Sequence, residues 1–238
     1  MRLVTSISAL VLVLSSVSFG AIGDPPSWDI IDADFGNGSG EVSYLAAFPD
    51  TFYGSGTVSE VLTANMTTVT HATATTWAQK NDVTLTGNSF TFEVRFRQDY
   101  GHRVGWTVYA PDGTTVELDF KNPADGSHDK FSDDAAQNVN MTVDRGVMNT
   151  YRAVYDSSTD TASVYLNGSI TAEATITAPN KSTNSSVAWV TMADFHTGQF
   201  FAAEHFKLAN GAYPPLIPEP ATLVLLLGGL GALLCKRR

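Results

Sequence analysis

Glu117 and Asp119 stand two residues apart in a run of strand-forming residues, Thr114-Thr115-Val116-Glu117-Leu118-Asp119-Phe120. Side chains at i and i+2 share one face of a strand. Two carboxylates placed so could act as nucleophile and acid on a glycosidic bond. The same alternation has a simpler outcome, because a sheet buried on one side turns its polar residues to solvent. That solvated outer face is the reading adopted for Glu117 and Asp119, and no catalytic residue is assigned. No Ser/His/Asp or Cys/His arrangement is readable, since the five histidines are scattered and the single cysteine is Cys235. Asp125, Asp129, Asp133 and Asp134 crowd one polar loop over residues 121–136. Their oxygens are the donors a calcium ion takes, although the spacing is not that of an EF-hand. Without calcium the loop is simply an acidic surface, and no other cofactor is expected.

The elements that must position these groups read as strands. Phe90, Phe92, Val94 and Phe96 alternate with Thr91, Glu93, Arg95 and Arg97. Period two over eight residues predicts a strand with one buried face. Pro111-Asp112-Gly113 separates Val104–Ala110 from Thr114–Phe120 as a hairpin turn. Tyr151–Tyr155, Thr161–Leu166 and Ile170–Ile176 form a three-strand meander, with Asn167-Gly168 as the tight turn of its second hairpin. Further strands are expected over Trp28–Phe35, Thr57–Leu62, Met66–Thr70, Val139–Val143, Val187–Met192 and Phe200–Leu208. No helical period is sustained between residues 21 and 213.

The two ends of the chain have a different character. Arg2, the apolar stretch Leu3–Leu14 and Ser18-Phe19-Gly20 make a secretory signal over residues 1–20, with cleavage expected between Gly20 and Ala21. At the other end Pro218-Glu219-Pro220 is stiff and non-helical. Apolar residues 221–235 follow, and the chain stops on Lys236-Arg237-Arg238. Those 15 residues would make a helix of about 22 Å. That is short for a bilayer core of about 30 Å, but thinning of the bilayer and snorkelling of basic ends close the gap. The basic triplet would remain cytoplasmic and the body would lie across the membrane.

In this order, the motif, the apolar run and the basic terminus over residues 218–238 resemble the PEP-CTERM sorting signal of bacterial envelope proteins. The resemblance implies that an exosortase reads the tail at Pro218, Glu219, Pro220 and the cluster Lys236, Arg237, Arg238. It also implies transient anchorage in the inner membrane, then delivery to the cell envelope, the outer surface or the extracellular space. Signal peptidase and exosortase would be partners during export.

The segment Tyr151–Ala174, with Val154-Tyr155-Asp156 and Val164-Tyr165-Leu166-Asn167-Gly168, resembles the signature hairpin of the laminin G-like, concanavalin A-like family. Phe90–Arg97 and Phe201–Leu208 resemble its earlier core strand and its late strand. The resemblance implies an all-β fold, a concanavalin A-like jelly-roll sandwich of two antiparallel sheets. The expected organisation is a signal peptide 1–20, a β-sandwich 21–213, a linker 214–217 and the sorting signal 218–238. Hydrolytic members of that clan carry Glu-x-Asp-x-x-Glu on one strand, and here the third acidic position is Asn122.

The net charge of −10 argues against nucleic acid as a partner of the body. With Cys235 in the tail, the body can form no internal disulfide. The expectation is therefore a non-enzymatic glycan- or protein-binding or structural module of an exported protein, its partner a polysaccharide or matrix protein. The alternative is a carbohydrate-active enzyme, a hydrolase or lyase, using Glu117 and Asp119. Trp106, Tyr109, Tyr165 and Trp189 are the aromatics that could stack on sugars if they are not core residues.

Overall fold

The alternating run at Phe90 becomes the strand around which the first sheet is built. Phe90, Phe92, Val94 and Phe96 are fully buried, Glu93 and Arg95 are half-buried, and Arg97 is exposed. The computed structural model describes residues 25–49, 51–53, 58–71, 76–98, 104–120, 129–133, 137–181, 188–194 and 199–215. The signal at Gly20 and Ala21, the tail from Pro218 to Arg238, and Asp125 and Asp134 lie outside the described residues, as do the side chains of Trp77 and Trp189.

Among the described residues fifteen strands are numbered in chain order. The first sheet contains β1 (Ile31–Asp34), β3 (Val58–Thr63), β4 (Met66–His71), β6 (Phe90–Gln98), β11 (Asn149–Asp156), β12 (Thr161–Leu166), β13 (Ala174–Thr177) and β15 (Gln199–Asn210). Its order is β13-β12-β11-β6-β15-β4-β3, with β1 also paired to β15. The second sheet contains β2 (Thr51–Tyr53), β5 (Thr76–Val83), β7 (Val104–Tyr109), β8 (Thr115–Phe120), β9 (Asp129–Ser132), β10 (Asn138–Met141) and β14 (Ala188–Asp194). Its order is β10-β9-β8-β7-β14-β5-β2. All strand pairs in both sheets are antiparallel.

The 12-residue β15 has β6 along one edge. Its other edge is shared by β4 at Gln199–Ala203 and β1 at His205–Leu208. The register against β6 shifts between Ala203 and His205, a bulge that leaves the Glu204 carbonyl to accept from Phe35 N at 2.7 Å.

Between the sheets the core is aromatic. Trp106 of β7 stacks on Phe206 of β15 at 5.4 Å and meets Phe201 edge-on at 6.0 Å. Phe96, Phe120 and Tyr151 form a triangle with ring centroids 4.9 to 5.2 Å apart. Each such pair contributes about 0.5–1.5 kcal/mol beyond the area it buries, which matters in a body without a disulfide.

Several boundaries differ from the sequence reading. The polar loop 121–136 contains β9, recruited because Phe131 fills the core opposite Leu118. Asn167 (φ 51°) and Gly168 (φ 74°) do form the tight turn, closed by Ser169 N on Leu166 O at 2.9 Å. The partner strand, however, is not Ile170–Ile176; it begins at Ala174, opposite Val164, and Ile170 stays exposed. The first strand is Ile31–Asp34 alone. A single turn of helix, α1 (Tyr44–Ala47), follows Ser43, whose hydroxyl caps it by accepting from Ala46 N at 3.0 Å.

Candidate functional site

Every residue of β8 is buried. Val116, Leu118 and Phe120 point into the core, so Thr115, Glu117 and Asp119 must point to the opposite side of the second sheet. There they are 2 %, 8 % and 3 % exposed. The solvated outer face expected for Glu117 and Asp119 is therefore wrong. Alternation assigned them to the correct side of the sheet, but that side is covered.

Register fixes the neighbours. On β7, Gly105 lies opposite Asp119, Thr107 opposite Glu117, and Tyr109 opposite Thr115. On β9, Ser132 lies opposite Glu117 and Lys130 opposite Asp119. Directly opposed residues share a face, so these side chains surround the two acids. Ser132 Oγ donates to Glu117 Oε2 at 2.8 Å within this buried layer. Gly105 leaves room for the acid: a Cβ there would come within 3.2 Å of Glu117 Oε1. Neither Ser132 nor Gly105 signals itself in the sequence, because each matters only through a strand pairing.

The described members of the expected calcium loop are used differently. Asp129 shares the core side of β9 with Phe131 and pairs with Arg145 at 3.0 Å. Asp133 accepts from Gln137 N and Asn180 N, each at 2.9 Å, and so ties the β9–β10 turn to the segment after β13. Among the described residues no group of three or more His, Cys, Asp or Glu side chains is set to hold a metal ion.

A second polar cluster covers the outer face of the first sheet. Glu93 accepts from Arg152 Nε at 2.8 Å and lies 3.2 Å from His205 Nε2. Arg152 stacks over Trp28 at 5.7 Å. Lys207 bridges Asp32 and Asp34 at 3.0 Å each, and Arg95 pairs with Glu204. Burial opposes charge on Glu93, yet the His205 hydrogen bond and the Arg152 guanidinium outweigh it and hold the carboxyl below the ordinary glutamate range. These are opposite charges in register across strands, which is how a polar sheet face stabilises itself. Of the aromatics, Trp106 is a core residue, while Tyr109 and Tyr165 are half-buried.

No model of a known protein family matches the chain, and no curated protein matches it in sequence. Solved structures do. Peanut lectin with a nine-residue peptide aligns over 75% of this chain and 96% of its own, at 15% identity and a TM-score of 0.50. The fold is that of the concanavalin A-like lectins. A sialidase aligns with the lectin-like body over 67% of this chain and 16% of its own, at 9% identity and a TM-score of 0.50. The potassium-bound carbohydrate recognition domain of Emp46p aligns over 72% and 94%, at 12% identity and a TM-score of 0.48. At these identities the likeness is one of fold.

Proposed function

We propose that this protein is an exported carbohydrate-binding protein of the cell envelope or extracellular matrix. Its lectin-like body binds glycan without cleaving it, and its tail is read by an exosortase. The carrying observation is the covered polar layer over β7, β8 and β9, where Thr107, Thr115, Glu117, Asp119 and Ser132 are all buried. Hydroxyl and carboxylate side chains are the groups that hydrogen-bond sugar hydroxyls, and the likeness of the fold to peanut lectin supports that reading.

A second reading, a glycan-cleaving enzyme, is favoured by one observation: Glu117 and Asp119 share a covered strand face. Against it, Glu117 Oε2 is engaged by Ser132, and Asn122 stands where the hydrolytic pattern has its third acid. The full chain, incubated with a panel of soluble polysaccharides, separates the readings when retention and release of reducing ends are measured together. Retention without release is the expected result. Release abolished by Glu117→Ala would establish the enzyme, and neither signal would remove carbohydrate from the account. Export and sorting are tested by the intact mass of the mature protein from its host, expected to lack residues 1–20 and the tail.

A further inference from the structure

The chain contains three Asn-Gly dipeptides, Asn37-Gly38, Asn167-Gly168 and Asn210-Gly211. Glycine after asparagine has no Cβ to shield its backbone nitrogen. That nitrogen can approach the asparagine side-chain carbonyl carbon and close a succinimide ring. The three sites read alike in sequence, but the structure separates them. At Asn167 both ends of the amide are held: Oδ1 accepts from Thr150 N at 2.9 Å, and Nδ2 donates to Asn149 Oδ1 at 2.9 Å. Asn210 is held in the same way, with Oδ1 accepting from Thr86 N at 2.7 Å and Nδ2 donating to Asp29 Oδ2 at 2.9 Å. Its following nitrogen is engaged as well, because Gly211 N donates to Ser89 O at 2.9 Å. Ring closure at either site would give up both amide hydrogen bonds.

Asn37 is set differently. It is exposed, and no hydrogen bond to a described residue holds its side-chain amide. Its backbone N donates to Thr63 O at 3.1 Å, which fixes the turn against the edge strand β3. The next nitrogen meets an acid: Gly38 N donates to Glu41 Oε2 at 2.6 Å. Asn65 N donates to the same oxygen at 3.2 Å, and Glu41 N donates to Gly38 O at 3.3 Å, so the carboxylate is fixed over the turn. A Cβ at residue 38 would lie 2.7 Å from that oxygen, so glycine is what lets the carboxylate rest against the nitrogen.

We propose that Asn37 is a site of self-modification, converted to aspartate and isoaspartate with Glu41 as general base. Glu41 Oε2 takes the proton of Gly38 N, and that nitrogen attacks Asn37 Cγ. The N–Cγ bond forms and the Cγ–Nδ2 bond breaks. Nδ2 receives the proton back from Glu41 and leaves as ammonia. Solvent water then adds to either carbonyl of the succinimide, and the ring opens to aspartate or isoaspartate. A base within hydrogen-bond reach of the proton it removes is the geometry general-base catalysis requires, and chain adjacency supplies the nucleophile already in place. The product puts a second carboxylate into the turn that holds Glu41, and like charges so close repel. The isoaspartate form also routes the backbone through the side-chain carbon, which lengthens the turn tied to Thr63 O. The modified protein is therefore an acidic form with a loosened β3 edge.

The test incubates the purified full chain at neutral pH and follows the three Asn-Gly peptides of the same sample by mass spectrometry. Conversion at Asn37 is expected to run several-fold faster than at Asn167 or Asn210, with both aspartate and isoaspartate peptides as products. Equal rates, or a lead for either of the other sites, overturn the proposal, and so does aspartate without isoaspartate, because a succinimide opens both ways. In urea the three rates are expected to converge; a lead for Asn37 that survives unfolding would assign the selectivity to local sequence and overturn the role of the fold. Glu41→Gln keeps the shape of the side chain and removes the base. It is expected to slow conversion at Asn37 several-fold while Asn167 and Asn210, which report an intact fold, keep their wild-type rates. An unchanged rate at Asn37 removes Glu41 as the base, and a faster one shows that its hydrogen bond to Gly38 N protects the turn instead.

Discussion

Arg145 Nε and Asp129 Oδ2 lie 3.0 Å apart, and each side chain is only 5 % exposed. The pair joins the loop before β11 to the start of β9, so it clamps the two sheets at the pole that holds Asp119. A buried pair contributes little against an apolar substitute, but losing one partner strands the other charge. Arg145→Ala should therefore cost about 3–5 kcal/mol in urea unfolding, and Asp129→Leu combined with Arg145→Met should recover most of it. A loss well under that size for the single variant would show that the pair is solvated.

Gly105→Ala tests how Glu117 is seated. Alanine normally improves a strand interior by about 0.5–1 kcal/mol over glycine, but here its Cβ would press on Glu117 Oε1 at 3.2 Å. Unfolding stability should change by no more than about 1 kcal/mol, while ligand retention falls. Unchanged retention would separate Glu117 from the binding face.

The Glu93–Arg152–His205 group gives a pH signature. A carboxyl held below its ordinary value in the folded state contributes stability in full above the ordinary glutamate pKa of about 4.3. That contribution is lost as pH falls through the lower folded value. Wild type should therefore lose stability more steeply than Glu93→Gln in acid below that pH. Above it, the wild type should be the more stable of the two. Parallel stability–pH curves from denaturant titrations would contradict the paired arrangement.

With no disulfide in the body, the aromatic core must carry the fold. Phe96 touches Trp106, Phe120 and Tyr151. Phe96→Ala should cost about 3–5 kcal/mol, read as a lowered denaturation midpoint. A loss below that range would show that the core collapses around the cavity.

Much of this fold was legible because period-two patterns report strand faces directly. Phe90–Arg97 and the Tyr151–Leu166 hairpin stand where alternation and turn chemistry put them. Asp129-Lys130-Phe131-Ser132 did not read as a strand because it has one apolar residue, and its conformation comes from pairing with β8. Glu117 and Asp119 were placed on the right face with the wrong exposure, since alternation says which way a side chain points and not what covers that side. Arg145 carried no local signal at all, because its partner is 16 residues away and lies in a segment that reads as loop.

The central claim is that the covered layer at Glu117 and Asp119 binds carbohydrate. The most direct test compares glycan-array binding of the full chain with that of Glu117→Gln/Asp119→Asn, which keeps shape while removing charge, with near-ultraviolet circular dichroism reporting that both are folded. The account predicts a defined set of bound glycans for the wild type and loss of that binding in the folded variant. Undiminished binding by the variant would contradict it.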